Sequence, residues 1–547
     1  MKPARRILAV LLGAALLLGS LCACTSTAGT DADTDTNTEN SVAQQLYDAD
    51  VTAPDLTNAA TITLSGTDDV TVTDGGVYVL TGTLTDGRVL VNAPDADVTL
   101  VLQDADITCS DSSALYIYKA ASVLLYLPDG TASTLTDGSS YDYSDGVSSA
   151  ADEEPNACLY SKSDLIIAGG GTLTVTGNAG NGITGEDTLK IEDTAVSVTA
   201  ANHGINGKDC LVLKQADVTV TSSGDALRAT NDSDTALGCV LIGASALTLT
   251  AGEDGIQAET TLTLFDTTGT VTSGGGSGAA LADDVSAKGI KAGTDIAVRS
   301  GSYTLDCADD AVHANGNVAV SGGTFTVTTG DDGMHADNAV TITDGTFSIP
   351  KCYEGIEGQT IDISGGTLCI DASGDGIDSN GALTVSGGEI YVSGPTSDGD
   401  SAIDHDGSAT VTGGTVIAAG YSGMAQNFGT DSTQGSILLT SRSTSTETIR
   451  VTDASGSVLA EFAPAKAYSC VIVSTPALKQ GGTYTVTMGG ESTDVTLESL
   501  IYGTGGMGGG MGGQSGGGNM GMPPDGNGGG MGTPPDGNGG KGGRPGQ

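Results

Sequence analysis

The chain has 547 residues, of which 67 are Asp or Glu and 20 are Lys or Arg, giving a formal net charge of −47. So large an acidic excess excludes nucleic acid and anionic lipid as direct electrostatic partners; it fits cations, or anionic ligands reached through bridging cations. Gly is abundant (85), Trp is absent and Phe occurs five times, and with Thr, Ser, Asp and Val this describes a turn-rich β protein.

At the N-terminus Lys2, Arg5 and Arg6 precede an apolar run from Ile7 to Leu18, and Leu21-Cys22-Ala23-Cys24 follows. The run is too short to span a bilayer, so residues 1–24 read as a signal segment. Leu21 lies three positions before Cys24 and the small Ala23 lies directly before it, which resembles a lipobox. Cys24 is therefore the expected lipidation site, with an ordinary secretory signal as the alternative. The expectation is an exported, cell-surface protein whose only membrane attachment is its lipid anchor. Residues 25–58, which open rich in Thr, Asp, Asn and Ser, read as a disordered tether.

Residues 59–430 read as a right-handed parallel β-helix. The early part, 60–180, has loose alternating segments such as VTVTDGGVYVLTGTL and LIIAGGGTLTVTG. A regular repeat then appears. Lys288, Asp310, Asp332, Glu354 and Asp375 are separated by 22, 22, 22 and 21 residues, and Ser401 follows 26 later. Asn181, His203 and Asp225 are also 22 apart, whereas Asp254 and Lys288 follow after 29 and 34, so two coils carry insertions near 231–236 and 272–287. Each repeat has two segments of period-two alternation, such as Val318 and Val320, then Phe325 and Val327. Alternation of this kind predicts strands with one buried face. A third inward point lies inside the acidic phrase at Ile290, Val312, Met334, Ile356, Ile377 and Ile403. Three short strands per coil of about 22 residues predict a solenoid that buries its apolar side chains only by stacking.

Residues 431–500 (SILLTS, TIRVTD, CVIVST, TYTVTM) read as an antiparallel β cap for the open end. Residues 501–547 are Gly, Met, Pro and Asn, with PPDGNGG at both 523–529 and 534–540, and read as a disordered tail. Eight cysteines beyond the leader, at 109, 158, 210, 239, 307, 352, 369 and 470, are scattered without CxxC spacing. They read as small buried hydrophobes, although an exported protein could pair some.

Stacking turns equivalent positions into columns. One reads Lys288, Asp310, Asp332, Glu354, Asp375, Ser401; the position before it reads Ala287, Asp309, Asp331, Tyr353, Gly374, Asp400. Three residues after the first column come Lys291, His313, His335, Glu357, Asp378 and Asp404, and two further on Asn315, Asp337, Gln359, Asn380 and Asp406. Residues flanking the inward Ile, Val or Met are expected to point outward. Like charges one strand spacing apart repel, and clustered oxygen ligands suit Ca²⁺. The metal candidates are Asp309, Asp310, Asp331, Asp332 and Asp337, then Glu354, Glu357, Asp375, Asp378, Asp400, Asp404 and Asp406. The alternative is a solvated acidic ridge whose carboxylates cap turns. Lys288, Lys291, His313, His335 and Tyr353 are candidate ligand contacts. A Lys beside Ca²⁺ and carboxylates is also what a polysaccharide lyase uses as its base. Against that stands a charge-balancing Lys paired with Asp309 or Asp310.

The runs AKGIKAG, DDAVHANG, GDDGMHADN, YEGIEG and GDGIDSNG, with NACLYSKSDLIIAGGGTLTV (156–175), GINGKD (204–209) and LTGTLTDGRVLVNA (80–93), resemble a family of bacterial surface carbohydrate-binding proteins. The resemblance covers about residues 60–500. It implies a right-handed parallel β-helix similar to pectate lyases, several bound Ca²⁺ ions, and binding of cellulose and of acidic sugars such as polygalacturonate. Two stretches depart from the pattern: Ser401 stands where other coils have an acid, and DALRAT (225–230) replaces an acidic phrase. The expected function is polysaccharide binding through Ca²⁺ rather than catalysis. A Ca²⁺-dependent pectate-type lyase with Lys288 or Lys291 as base, and a purely structural or adhesive solenoid, are the alternatives.

Overall fold

The computed structural model describes residues 41–282 and 285–503. Cys24 and the leader, residues 25–40 of the tether, and residues 504–547 of the tail lie outside the described residues. The chain is nearly all β, a parallel solenoid of about 16 turns spaced about 22 residues apart. This is the architecture the repeat predicts.

Three parallel sheets form the walls. The first includes Ile256–Ala258, Ile290–Ala292, Val312–Ala314, then the N-terminal halves of Met334–Ile342, Ile356–Ile363 and Ile377–Val385, and ends at Asp404–His405. The second includes Cys210–Lys214, Cys239–Gly243, Leu262–Phe265, Ile296–Val298 and Asn317–Val320. The third includes Gly301–Cys307, Thr324–Thr329, Thr346–Cys352, Thr367–Ala372, Glu389–Ser393 and Thr415–Gly420. The inward Ile290, Val312, Met334, Ile356, Ile377 and Ile403 are all buried, in one core shared with Val318, Val340 and Leu383. On the third wall Phe325 and Phe347 stack with ring centroids 4.8 Å apart and planes 3° from parallel, and Tyr303 adds to the stack at 5.1 Å.

The residue before each inward apolar side chain is Gly or Ala because successive coils leave it almost no room. A Cβ on Gly355 would lie 2.2 Å from the carbonyl oxygen of Gly376 and 2.6 Å from the Ile370 side chain. Ala226, Ala311 and Ala402 fill equivalent places, all buried. Any larger side chain would push two coils apart.

At the far end Thr415–Gly420 pairs antiparallel with Tyr468–Ser474, which pairs antiparallel with Ser436–Ser445. The open edge of the last coil is thereby covered. Four more strands, Ile449–Asp453, Val458–Phe462, Thr483–Met488 and Glu491–Thr496, make a separate antiparallel sheet. Ile501–Tyr502 pairs with Ser436–Ser445, so the first residues of the expected tail belong to the cap. At the other end, Val42–Asp48 within the expected tether is a helix capped by Ser41, whose hydroxyl accepts from Gln44 N–H at 3.1 Å. Its Ala43, Leu46 and Tyr47 pack on Cys210, Val212, Cys239 and Leu241 of the second wall. Seven residues are too few for helical periodicity to stand out in a polar segment.

Candidate functional site

The first column is held by backbone register. Gly289 N–H donates to Asp310 O, Ala311 N–H to Asp332 O, Gly333 N–H to Glu354 O, Gly355 N–H to Asp375 O and Gly376 N–H to Ser401 O. The aligned positions are the ones the spacing predicts, and the column extends back through Asp254 and Asp225. The side chains, however, correct the expectation that they all point outward. Asp225, Asp254, Asp310 and Asp332 are buried. Each turns along the solenoid axis and accepts a hydrogen bond from the backbone N–H of the next residue in its own column. Asp225 accepts from Asp254 at 3.0 Å, Asp254 from Lys288 at 2.8 Å, Asp310 from Asp332 at 3.1 Å, Asp332 from Glu354 at 3.2 Å and Asp375 from Ser401 at 2.5 Å. Lys288 has no acceptor to offer, and Asp310 N–H turns instead to Asp309 at 2.9 Å. Short acidic side chains recur here because a coil corner leaves an N–H that the sheets do not use.

The column three residues on lies on the first wall, half-buried, in strict register: Lys291 beside His313, His313 beside His335, His335 beside Glu357, Glu357 beside Asp378, Asp378 beside Asp404. Its charge changes sign along the axis. The cationic part begins with Arg228, whose side chain contacts His203 at 2.9 Å and Asp225 at 3.4 Å. Lys291 pairs with Asp254 at 3.0 Å and Lys288 with Asp309 and Asp310 at 3.0 and 2.6 Å. Burial alone would lower the Lys288 ammonium, but Asp310 and Asp309 outweigh it and raise its pKa above the ordinary value. Burial likewise opposes the Asp310 carboxylate, yet bonds from His313 and Lys288 hold it well below the usual range.

His335 sits at the change of sign. Its ring is 4.8 Å from that of His313, and its Nδ1 lies 3.3 Å from Glu357, 3.5 Å from Asp332 and 4.0 Å from Asp310. The bond to Asp332 and the surrounding carboxylates, against burial, raise its pKa to about 9. Beyond it the carboxylates accumulate faster than cations. Burial first, then mutual repulsion, raises Asp332 to about 7, Glu354 to about 9 and Asp378 to about 6. Burial and the neighbouring Asp378 and Asp404 bring Asp375 to about 7, although Ser401 N–H stabilises its charged form. Ligand atoms of Glu354, Glu357 and Asp378 lie within 4.8 Å of one another, as do those of Asp309, Asp310 and Asp331. Glu354 Oε2 is buried without a hydrogen-bond partner. An all-oxygen set with an orphaned carboxylate oxygen has the donor chemistry of a Ca²⁺ site.

The structure therefore brings Glu354, Glu357, Asp375, Asp378 and Asp404 into one acidic stretch, and Asp309, Asp310, Asp331 and Asp332 into a second group beside Lys288 and His335. Asp337 and Asp406 are exposed at the rim, with Asp337 3.5 Å from His335 Nε2. Asp400 lies in the longer turn just before Ser401, accepting from Ser397 at 2.6 Å. Tyr353 is 46% exposed, the position a sugar-stacking ring needs. Sequence reasoning passed over Asp254, His203 and Arg228 as site residues. The repeat places Asp254 in the same column one coil before Lys288, but the candidate site was confined to the unbroken run of acidic phrases that starts after Lys288.

A profile described as carbohydrate-binding domain-containing protein matches residues 66–333 and 315–399. A carbohydrate-binding domain-containing protein of Acetivibrio thermocellus is 38% identical over 133 residues, covering 24% of this chain and 45% of that relative. The matched segment thus spans under half of the relative's length. A solved structure, of a polysaccharide lyase-like protein from C. thermocellum as a gadolinium derivative, aligns at 29% identity with a TM-score of 0.37 over 40% of this chain and 91% of that one.

Proposed function

The chain belongs to the carbohydrate-binding domain family, and from that premise we propose that it is a lipid-anchored surface protein that holds an acidic polysaccharide, polygalacturonate or a similar uronate polymer, through Ca²⁺ on its first wall. The observation that carries this reading is the acidic stretch Glu354, Glu357, Asp375 and Asp378, whose carboxyls are forced together by the stacking of coils. A cation there would relieve the repulsion and, with coordination positions left over, would also accept the carboxylates of a polymer. The adjacent Arg228, Lys288, Lys291, His313 and His335 give the same face a partly cationic half, and Tyr353 offers a ring. Cellulose fits less directly, since no Trp supplies a flat platform.

Binding is favoured over lyase chemistry by the surroundings of both candidate bases: Lys291 is paired with Asp254 at 3.0 Å, and Lys288 is held more tightly still. A general base must be neutral, and two carboxylates at 3.0 and 2.6 Å hold this ammonium charged. The test is retention of the purified chain in gels cast with polygalacturonate, with and without Ca²⁺. Retardation in Ca²⁺ that disappears in chelator, and in Glu354→Gln/Asp378→Asn, is expected. Equal mobility in both conditions overturns the reading.

A further inference from the structure

Away from the acidic face, the second wall carries a pair of thiols that polysaccharide binding does not use. Cys210 and Cys239 occupy in-register positions on adjacent parallel strands, Cys210–Lys214 and Cys239–Gly243. Neighbouring strands lie about 4.7–4.9 Å apart, inside the separation of about 4.4–6.8 Å that a disulfide's two Cα atoms span. In-register residues of parallel strands point to the same side. Both thiols lie outside the main core, in the cluster roofed by Ala43, Leu46 and Tyr47 of the docked helix. Their sulfurs are 2.7 Å apart, well inside ordinary nonbonded contact, about 3.5–4.0 Å even for the smaller carbon atom. Other cysteines in the ladders face different residues: Cys307 lies between Ser273 and Thr329, and Cys369 between Ser348 and Tyr391.

The spacing of the pair is also distinctive. Cys210 and Cys239 are 29 residues apart where a regular coil needs 22, because the turn at 230–238 is longer. That turn leaves and rejoins the solenoid beside the pair, with Asn231 bonded to the Asp209 carboxylate at 2.5 Å and Gly238 N–H to Asp209 O at 2.7 Å.

We propose that Cys210 and Cys239 form a disulfide that staples two successive coils at the neck of the 230–238 turn, beneath the helix Val42–Asp48. The oxidant is a small-molecule or protein disulfide of the exported environment. The Cys239 thiolate attacks one sulfur of that disulfide, giving a mixed disulfide and releasing one thiol. The Cys210 thiolate then attacks Cys239 Sγ and expels the second thiol. Two protein thiols become one S–S bond, and the oxidant's disulfide becomes two thiols. Cys210 is 0% and Cys239 4% exposed, so the exchange precedes docking of the helix, and the helix then shields the bond from reductant.

The experiment uses the full chain produced by export. It is unfolded in guanidinium with iodoacetamide and no reductant, digested with trypsin and analysed by mass spectrometry. The expected result is residues 209–214 linked to residues 229–288, about 2 Da lighter than the two free-thiol peptides together. The link should be lost in C210S and in C239S, and should resist dithiothreitol until the protein is unfolded. Oxidised wild type should melt a few degrees above C210S/C239S. Recovery of both peptides separately alkylated, even after refolding in glutathione disulfide, overturns the proposal. So does linkage of either residue to a different cysteine.

Discussion

Asp310 Oδ1 accepts a hydrogen bond from the backbone N–H of Asp332, one coil further on, at 3.1 Å. The other oxygen of the same carboxylate meets Lys288 Nζ at 2.6 Å and His313 Nδ1 at 2.8 Å. One buried carboxylate therefore joins three coils. Asp310→Ala would orphan a backbone N–H and leave Lys288 with Asp309 alone, and should lower stability by about 3 kcal/mol. Asp310→Asn keeps an acceptor for Asp332 N–H and should cost less. Urea denaturation of the three proteins in the same buffer checks the order; an Ala variant as stable as wild type would show that the ladder contributes nothing.

The acidic stretch, together with Asp332 beside it, contributes a pH dependence to the metal-free protein. Glu354, Asp332, Asp375 and Asp378 have folded-state pKa values of about 9, 7, 7 and 6, raised above their unfolded values by burial and then by their neighbours. The folded state thus binds more protons than the unfolded state across this window, and stability falls as pH rises. His335, raised to about 9, acts in the same direction: its contribution is present below the unfolded His pKa and is lost as pH rises through about 9. In chelator the melting temperature should therefore fall from pH 5 to pH 8. Millimolar Ca²⁺ should recover it at pH 8 and have less effect at pH 5, because protons compete for the same oxygens. A melting temperature flat with pH, or indifferent to Ca²⁺ at pH 8, would remove the cation from the account. Glu354→Gln should raise the pH 8 value in chelator and weaken the Ca²⁺ response together.

Much of this was legible in the sequence. The step from Lys288 through Asp375 gave the coil length, and the inward Ile, Val and Met positions gave the first wall, because stacking forces every coil to repeat its turns and its core contacts. The direction of the first-column side chains was not legible. Period-two reasoning applies within strands; Asp310 and Asp332 lie two positions before the inward Val312 and Met334, at a corner just outside the strands that begin there, where a free N–H one coil away draws a short carboxylate inward. The column position of Asp254 was legible, since insertions change sequence spacing without changing spatial stacking; its pairing with Lys291, 37 residues later, was not, because spacing alone does not say which way a corner carboxylate turns.

The charge state of Lys288 separates binding from catalysis. Held between Asp309 and Asp310, it should act as a structural cation. Incubation of wild type with polygalacturonate and Ca²⁺ should give no increase in ultraviolet absorbance from an unsaturated uronate product at neutral pH. Lys288→Ala should lower the melting temperature by several degrees, since it leaves two close carboxylates, one of them buried, without their cation. Appearance of product that is lost in Lys288→Ala or in Lys291→Ala, at unchanged melting temperature, would reverse the assignment.

The aromatic stack on the third wall tests whether stability is local, as a solenoid requires. Phe347 is buried, with its ring 4.8 Å from that of Phe325, and its strand pairs with Thr324–Thr329 and Thr367–Ala372. Phe347→Ala should open a cavity and cost about 3–5 kcal/mol, whereas Phe347→Leu, which fills most of the space, should cost less. Because each coil contacts only its neighbours, the loss should be confined to nearby coils. Amide hydrogen exchange in Phe347→Ala should accelerate in 324–329, 346–352 and 367–372 and remain at wild-type rates in Ala195–Ala200 and Asp217–Ser222, which lie several coils away on the same wall. Uniform acceleration along the whole chain would mean that the solenoid unfolds as one unit. The acidic stretch would then be coupled to every coil, since its carboxylates are held together only as firmly as the coils that carry them.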